Sequence, residues 1–279
     1  MKKIIKHSLA KIVSLILGFF RKSSIGRYVI EVIIHRLMNH IEEVEHNGKF
    51  YFTAPNDLNR FRANTFSTKE PETLEWIDQM TKDPVFWDIG ANVGLYSIYA
   101  AKKKNAKVYS FEPSVFNLEL LARNVFINRL SNQIVIIPLP LSEKLSVNTL
   151  QMTSTDWGGA LSSFGETFGH DGKPMETVFE YNILGISMID ALKLFRLPKP
   201  HYIKMDVDGI EHLILKGGEK ILGSVKEILV EINEDFEDQF KISRKILEKA
   251  GFHLKNRKAS TVSNTGSFQN TYNQIWVKK

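Results

Sequence analysis

Residues 85–112 read VFWDIGANVGLYSIYAAKKKNAKVYSFE, and the physical reading of this stretch decides the fold. Val85-Phe86-Trp87 is an apolar run without alternation, as expected of a strand buried on both faces. Asp88 ends the run, and Gly90-Ala91-Asn92-Val93-Gly94 follows. Its two glycines let the main chain turn sharply and approach a ligand with no Cβ in the way. Leu95 to Lys104 reads as a helix whose first amides point back at the turn. Val108-Tyr109-Ser110-Phe111 is a second parallel strand, with Glu112 at its carboxyl end. Open α/β sheets bind ligands beyond the carboxyl ends of their strands. Asp88, the Gly90–Gly94 turn and Glu112 are therefore expected to converge, with Glu112 placed to accept both hydroxyls of a ribose. The expectation is a nucleoside-containing cofactor.

The turn narrows the choice. A dinucleotide fold uses G-x-G-x-x-G, whose second glycine makes room for a pyrophosphate. Here Asn92 stands at that place. A cofactor without phosphates does not need the opening, and the ammonium and sulfonium charges of S-adenosylmethionine suit the acidic surroundings. Asp88, the Gly90–Gly94 turn and Glu112 are the expected surroundings of that cofactor, joined by Leu141 and Ser142. These two follow the third strand, Ile134–Ile137, and are expected beside the adenine.

The 279 residues suffice for one large α/β domain with an appendage, and 43% apolar with 24% charged residues is ordinary for a globular chain. Absence of cysteine excludes disulfides, thiolate catalysis and Cys-ligated zinc, and fits a reducing, cytoplasmic compartment. The charge is uneven. Residues 1–36 carry eight Lys/Arg against Glu31 alone, whereas the other 243 residues carry 29 basic against 30 acidic side chains. Nothing marks the main domain as a nucleic-acid surface.

Within the basic segment Ile5, Leu9, Ile12, Ile16 and Phe20 share one helical face, opposite Lys3, His7, Lys11, Ser14, Arg21 and Lys22. Its apolar run Ile12–Phe20 is shorter than the roughly 20 residues a membrane span requires, and no A-x-A-like cleavage site follows. Two readings stand: residues 1–22 lie on an anionic membrane surface, peripheral to its inner face, or they form a helical cap on the domain. The expected division is a helical extension over 1–40, a hairpin and helix over 41–84, and the catalytic core over 85–279. The hairpin turns at Asn47-Gly48, and the helix is expected over Glu70–Met80, after a loop and with Pro71 in its first turn.

Residues 143–185 break the strand–helix alternation and are expected to form an inserted loop or hairpin of the acceptor pocket. The second informative stretch is HYIKMDVDGIEHLILKGGEKIL, residues 201–222. Lys204, Asp206, Asp208 and Glu211 crowd the end of a strand expected beside the first, where buried charges need partners or a function. A helix over 211–216 is expected to stop at Gly217-Gly218, followed by a strand ending in Glu231-Ile232-Asn233.

Together, DIGANVGLYSIYAA, SFEP, IKMDVDGIEHLILKG and ILVEIN resemble the FkbM-type methyltransferases, over about residues 65–279. The resemblance implies an α/β class I methyltransferase fold, Rossmann-like, with a seven-stranded, mostly parallel sheet whose last strand is antiparallel and whose faces carry helices. It implies S-adenosylmethionine as methyl donor, held by Asp88, Gly90, Asn92, Gly94 and Glu112, with O-methylation and a sugar hydroxyl of an envelope glycan or glycosylated metabolite as acceptor. One position departs from the pattern K-x-D-V-E-G-x-E: Asp208 replaces the glutamate.

A base that takes the hydroxyl proton would help such a transfer. The order of candidates is Asp206, Asp208, His212, with Lys204 neutralising the carboxylates. Asp206, Glu231 and Asn233 form an alternative oxygen-ligand set for a divalent cation, although metal-free transfer is the preferred expectation. A nicotinamide-dependent oxidoreductase and a non-catalytic cofactor-binding scaffold are the rival classes. Asn92 speaks against the first, and retention of the acids speaks against the second.

Overall fold

The computed structural model describes residues 2–259 and 268–278, with side chains from His7 onward. The chain opens with α1 (Lys2–Phe20) and α2 (Ser24–Met38), then the hairpin β1 (Ile41–Glu45) and β2 (Lys49–Thr53). Two short helices, α3 (Asp57–Asn64) and α4 (Pro71–Gln79), lead into the core. There β3 (Val85–Ile89), α5 (Leu95–Lys104), β4 (Lys107–Phe111), α6 (Val115–Ile127) and β5 (Ile134–Ile137) alternate. An insertion of β6 (Ser146–Met152), β7 (Ser162–Phe164) and β8 (Phe179–Gly185) follows. The alternation then resumes with α7 (Met188–Leu194), β9 (Tyr202–Met205), α8 (Glu211–Leu222), β10 (Glu227–Asn233) and α9 (Glu237–Lys249). It ends in the antiparallel pair β11 (Phe252–Ala259) and β12 (Thr271–Lys278).

The central sheet has seven strands in the order β11-β12-β10-β9-β3-β4-β5, parallel from β10 to β5. β12 runs antiparallel to both neighbours. This is the seven-stranded class I arrangement. Alternation of side chains across the pleat sorts the core into two layers. Phe86, Val108, Tyr202 and Leu229 face α4 and α5, with Trp76 and Tyr99, whereas Trp87, Phe111, Ile203 and Val230 face the layer of α7, α8 and α9.

Three expectations change. The loop after Pro55 contains α3, capped by Asn56, whose side chain accepts the Asn59 amide at 2.9 Å. Helix α8 does not stop at Gly217-Gly218 but runs through to Leu222. These glycines serve packing: a Cβ on Gly217 would lie 2.4 Å from the Ser142 carbonyl oxygen, and one on Gly218 would lie 1.8 Å from Met188 Cε. The insertion is a three-stranded antiparallel sheet of order β7-β6-β8, larger than a hairpin.

Helix α1 packs chiefly against α2. Only the C-terminal end of α2 is buried in the domain, where Met38 meets Val93 and Leu120. Leu9, Ile12, Ile16 and Phe20 of the apolar face stay exposed, whereas the side chains of Lys3 and Ile5 lie outside the described residues. Among the described residues no helix is long and apolar enough to cross a membrane.

Candidate active site

The main chain of 89–94 turns over the carboxyl ends of β3 and β4. Gly90, Asn92 and Gly94 have φ of 81°, 49° and 85°, the left-handed region that glycine and asparagine tolerate. Gly90 has a second constraint: its Cβ would lie 1.9 Å from the Asp206 carbonyl oxygen. The turn can therefore pass between β4 and β9 only as glycine.

Glu112 is buried at the end of β4 and accepts the main-chain amides of Asn92 and Ser114, each at 2.8 Å. Burial pushes its carboxyl up to about 7 against the lowering effect of these bonds. The Asn117 amide also donates to it at 3.4 Å, and the carboxylate lines the adjoining slot. That slot is lined by Ile89, Gly90, Phe111, Leu139, Pro140 and Leu141, with Asp206 and Asp208 at its far end.

A second, roomier chamber of about 290 Å³ opens beside the slot and shares Gly90, Asn92, Asp206 and Asp208 with it. Its own wall is charged: Arg62, Lys69, Glu70, Lys204 and Glu231, with Tyr96 between them. The Tyr96 hydroxyl donates to Glu70 at 2.8 Å, and the Lys204 ammonium lies 5.0 Å above the Tyr96 ring. Lys204 pairs with Asp206 at 2.9 Å. Burial alone would depress the Lys204 ammonium, but Asp206, Asp88 and Glu70 outweigh it and hold it charged.

The two shared acids differ. Burial raises Asp206, but the Lys204 charge and hydrogen bond, with Lys69 and Arg62, outweigh it and keep its pKa low. Burial and repulsion from Asp206 push Asp208 up to about 6, although it accepts the Leu161 amide at 2.7 Å. Asp208 has φ of 62°, which a short aspartate side chain tolerates. Glu211 latches this turn from below, accepting the amides of Val207 at 3.0 Å and Gly209 at 3.1 Å. Glu231 is raised by burial and by the neighbouring acids. Oxygens of Asp206, Asp208 and Glu231 lie within 4.8 Å of one another.

The structure separates the sequence candidates. Gly90, Asn92, Glu112, Leu141, Lys204, Asp206 and Asp208 line one or both chambers. Asp88 does not. It lies within β3 and points from the sheet toward α5, where Ser97 donates to it at 2.5 Å, so it supports the turn from beneath. Gly94 is the left-handed residue before α5 and lines neither chamber.

Ser142 also lies outside, its amide bound to the Ile186 carbonyl at 2.8 Å. His212 packs edge-on against Phe236, and burial pulls its pKa down to about 4. Among the oxygen ligands, Asn233 turns away and accepts the Asp235 amide at 3.0 Å.

Tertiary folding adds Arg62, Lys69 and Glu70, together with Tyr96 from the motif after the turn and the segment Trp157–Gly159 from the expected insertion. Asn92 and Asn117 donate to the Gly159 carbonyl at 2.8 and 3.0 Å, Arg62 donates to Gly158 at 2.6 Å, and Asn59 to Trp157 at 2.7 Å. The break in strand–helix alternation over 143–185, with its glycines at 158 and 159, is the sequence signal of this segment.

The Methyltransferase FkbM domain matches residues 88–254, more than half of the chain. Among curated relatives, Hexuronic acid methyltransferase AglP of Haloferax volcanii is 28% identical over 158 residues, covering 56% of this chain and 59% of that protein. Methyltransferase sdnD of Sordaria araneosa is 33% identical over 78 residues, covering 28% and 29% respectively. The chain thus spans about 59% of the first relative's length and 29% of the second's. Methyltransferase FkbM from Methylobacillus flagellatus, a solved structure, has a TM-score of 0.49 at 14% identity, covering 71% of this chain and 44% of that one. From the extent of the domain match, this chain belongs to the FkbM family of methyltransferases.

Proposed function

We propose that this protein transfers a methyl group from S-adenosylmethionine to an oxygen of a sugar in an envelope glycan or glycosylated metabolite. The observation that carries the reading is the meeting of the two chambers at Gly90, Asn92, Asp206 and Asp208, with Glu112 at the far side of one and the charged wall at the far side of the other. The residues fit that cofactor. Glu112 would take the ribose hydroxyls, and Leu139 and Leu141 would flank the adenine. Bound there, the cofactor supplies an electrophilic methyl on sulfur.

The chain's own part is positioning and proton handling. A general base works best when its pKa is near the working pH, and this favours Asp208, at about 6, over Asp206, which is held low by Lys204. In this reading Asp208 takes the acceptor's proton, and the Lys204–Asp206 pair holds the floor of the acceptor chamber. Within that mixed-charge chamber Arg62 is the cation we assign to an acidic sugar, since Lys69 pairs with Glu70 at 2.8 Å and Lys204 with Asp206. Similarity to the hexuronic acid methyltransferase of Haloferax volcanii supports a uronic acid as acceptor. Metal-free transfer is preferred because the Lys204 ammonium already occupies one side of Asp206. The reaction is assigned to the cytoplasm.

The test is transfer of a labelled methyl from S-adenosylmethionine to a panel of uronic acids, neutral sugars and their glycosides, with and without chelator. Methylation of the acidic sugars, insensitive to chelator, supports the proposal. Cofactor binding without turnover on any sugar would turn the reading toward a scaffold or a different acceptor.

A further inference from the structure

The N-terminal helices carry an arrangement that the reaction does not use. Around the turn joining α1 to α2, Leu15 and Phe19 are each 76% exposed and Ile25 is 79% exposed. Tyr28 is exposed beside them. The same turn carries Arg21, Lys22 and Arg27, all exposed, with the Arg27 guanidinium donating to the Arg21 carbonyl at 3.2 Å. Gly26 lets α2 start close against the end of α1, since a Cβ there would lie 2.0 Å from the Phe20 carbonyl oxygen. Large apolar side chains in water next to a cluster of cations mark a surface that is covered in use.

We propose that this helical hairpin docks the protein on an anionic lipid bilayer, with Leu15, Phe19, Ile25 and Tyr28 entering the acyl boundary and Arg21, Lys22 and Arg27 at the headgroups. Charge complementarity selects this occupant. Residues 1–36 hold eight cations against one acid, so a second copy of the hairpin would bring like charge to like. An anionic surface gains about 1 kcal/mol for each Lys or Arg brought to it, and the apolar side chains add their burial.

The hairpin is tied to the working part of the molecule. Met38 packs against Val93, which lies in the cofactor turn, and Arg123 of α6 donates to Asn39 at 3.2 Å. The 15 residues of α2 span about 22 Å between the hairpin turn and the end that meets Val93. The proposal is independent of the acceptor's identity.

The experiment is flotation of the full chain with vesicles of phosphatidylcholine alone or mixed with phosphatidylglycerol, at low and high salt. Thermal melting of each variant establishes that its fold is retained. The expected result is flotation with the anionic vesicles that weakens with salt. The variant Leu15→Asp/Phe19→Asp/Ile25→Asp should lose it. Arg21→Gln/Lys22→Gln/Arg27→Gln should bind on the order of 100-fold less tightly. Equal flotation on pure phosphatidylcholine, or flotation unchanged in either folded variant, would overturn the proposal. So would a parent chain that does not float but forms a dimer dissociated by the Asp variant.

Discussion

Replacing Glu112 by glutamine probes the cofactor site most sharply. The carboxylate is held by the Asn92 and Ser114 amides, and burial pushes it up to about 7. Glutamine keeps one acceptor oxygen and turns an NH2 group toward the other amide donor. For a ribose diol the change removes two hydrogen bonds to an ionised acceptor, each worth about 1.5–3 kcal/mol. The expected loss is about 3–6 kcal/mol, or roughly two to four orders of magnitude in Kd. Folding should suffer little. The unmatched main-chain donor costs about 1–3 kcal/mol, while relief from ionising a buried acid returns about 3 kcal/mol above its pKa.

Calorimetric titration with S-adenosylhomocysteine, paired with thermal melting, measures both effects. The pH dependence supplies an internal check. The parent's affinity should fall about tenfold per pH unit below about 7, because the protonated acid accepts fewer bonds, and the variant's affinity should lack this dependence. A folded Glu112→Gln protein that binds the homocysteine as tightly as the parent would refute the placement of the ribose. Binding of NADH by the parent would refute the choice of cofactor.

Three further outcomes follow from named contacts. Asp208→Asn should lower kcat by about 10²–10⁴ with S-adenosylhomocysteine affinity retained; the parent's kcat should rise with pH through about 6, and an unchanged profile in the variant would remove Asp208 as base. In the ligand-free protein Glu112 and Glu211, both buried and both pushed up to about 7, bind more protons folded than unfolded between 4.5 and 7. Stability should therefore fall as pH rises through that window, by about 3 kcal/mol per group, and a melting temperature that climbs instead would contradict it. In α8, Gly217→Ala meets the rigid Ser142 carbonyl and should cost about 2 kcal/mol, whereas Gly218→Ala meets the mobile end of Met188. The second change should cost less, within about 1 kcal/mol of parent after its gain in helix propensity, and denaturant melts showing the reverse order would refute the distinction.

The local code was legible in the amino-acid order. Unalternating apolar runs at Val85, Val108, Ile134 and Tyr202 mark strands buried on both faces, and the left-handed positions of the cofactor turn need Gly or Asn, which the chain supplies at 90, 92 and 94. Glu112 and the Lys204–Glu211 cluster stand out because ionisable groups next to such strands require partners. Those signals are local, so sequence alone could carry them.

Other features depended on what each residue meets across the fold. Gly217 and Gly218 read as a helix stop and are instead contact points for Ser142 and Met188. Asp88 reads as the last residue before the turn, but β3 extends through it, and the pleat directs it toward Ser97. Arg62 and Glu70 carry no motif and become part of the acceptor wall only because α3 and the start of α4 pack over the carboxyl ends of the strands. A turn's backbone needs are written in its own few residues, whereas the charge a carboxylate faces is decided by segments distant in sequence, and only tertiary packing brings them together.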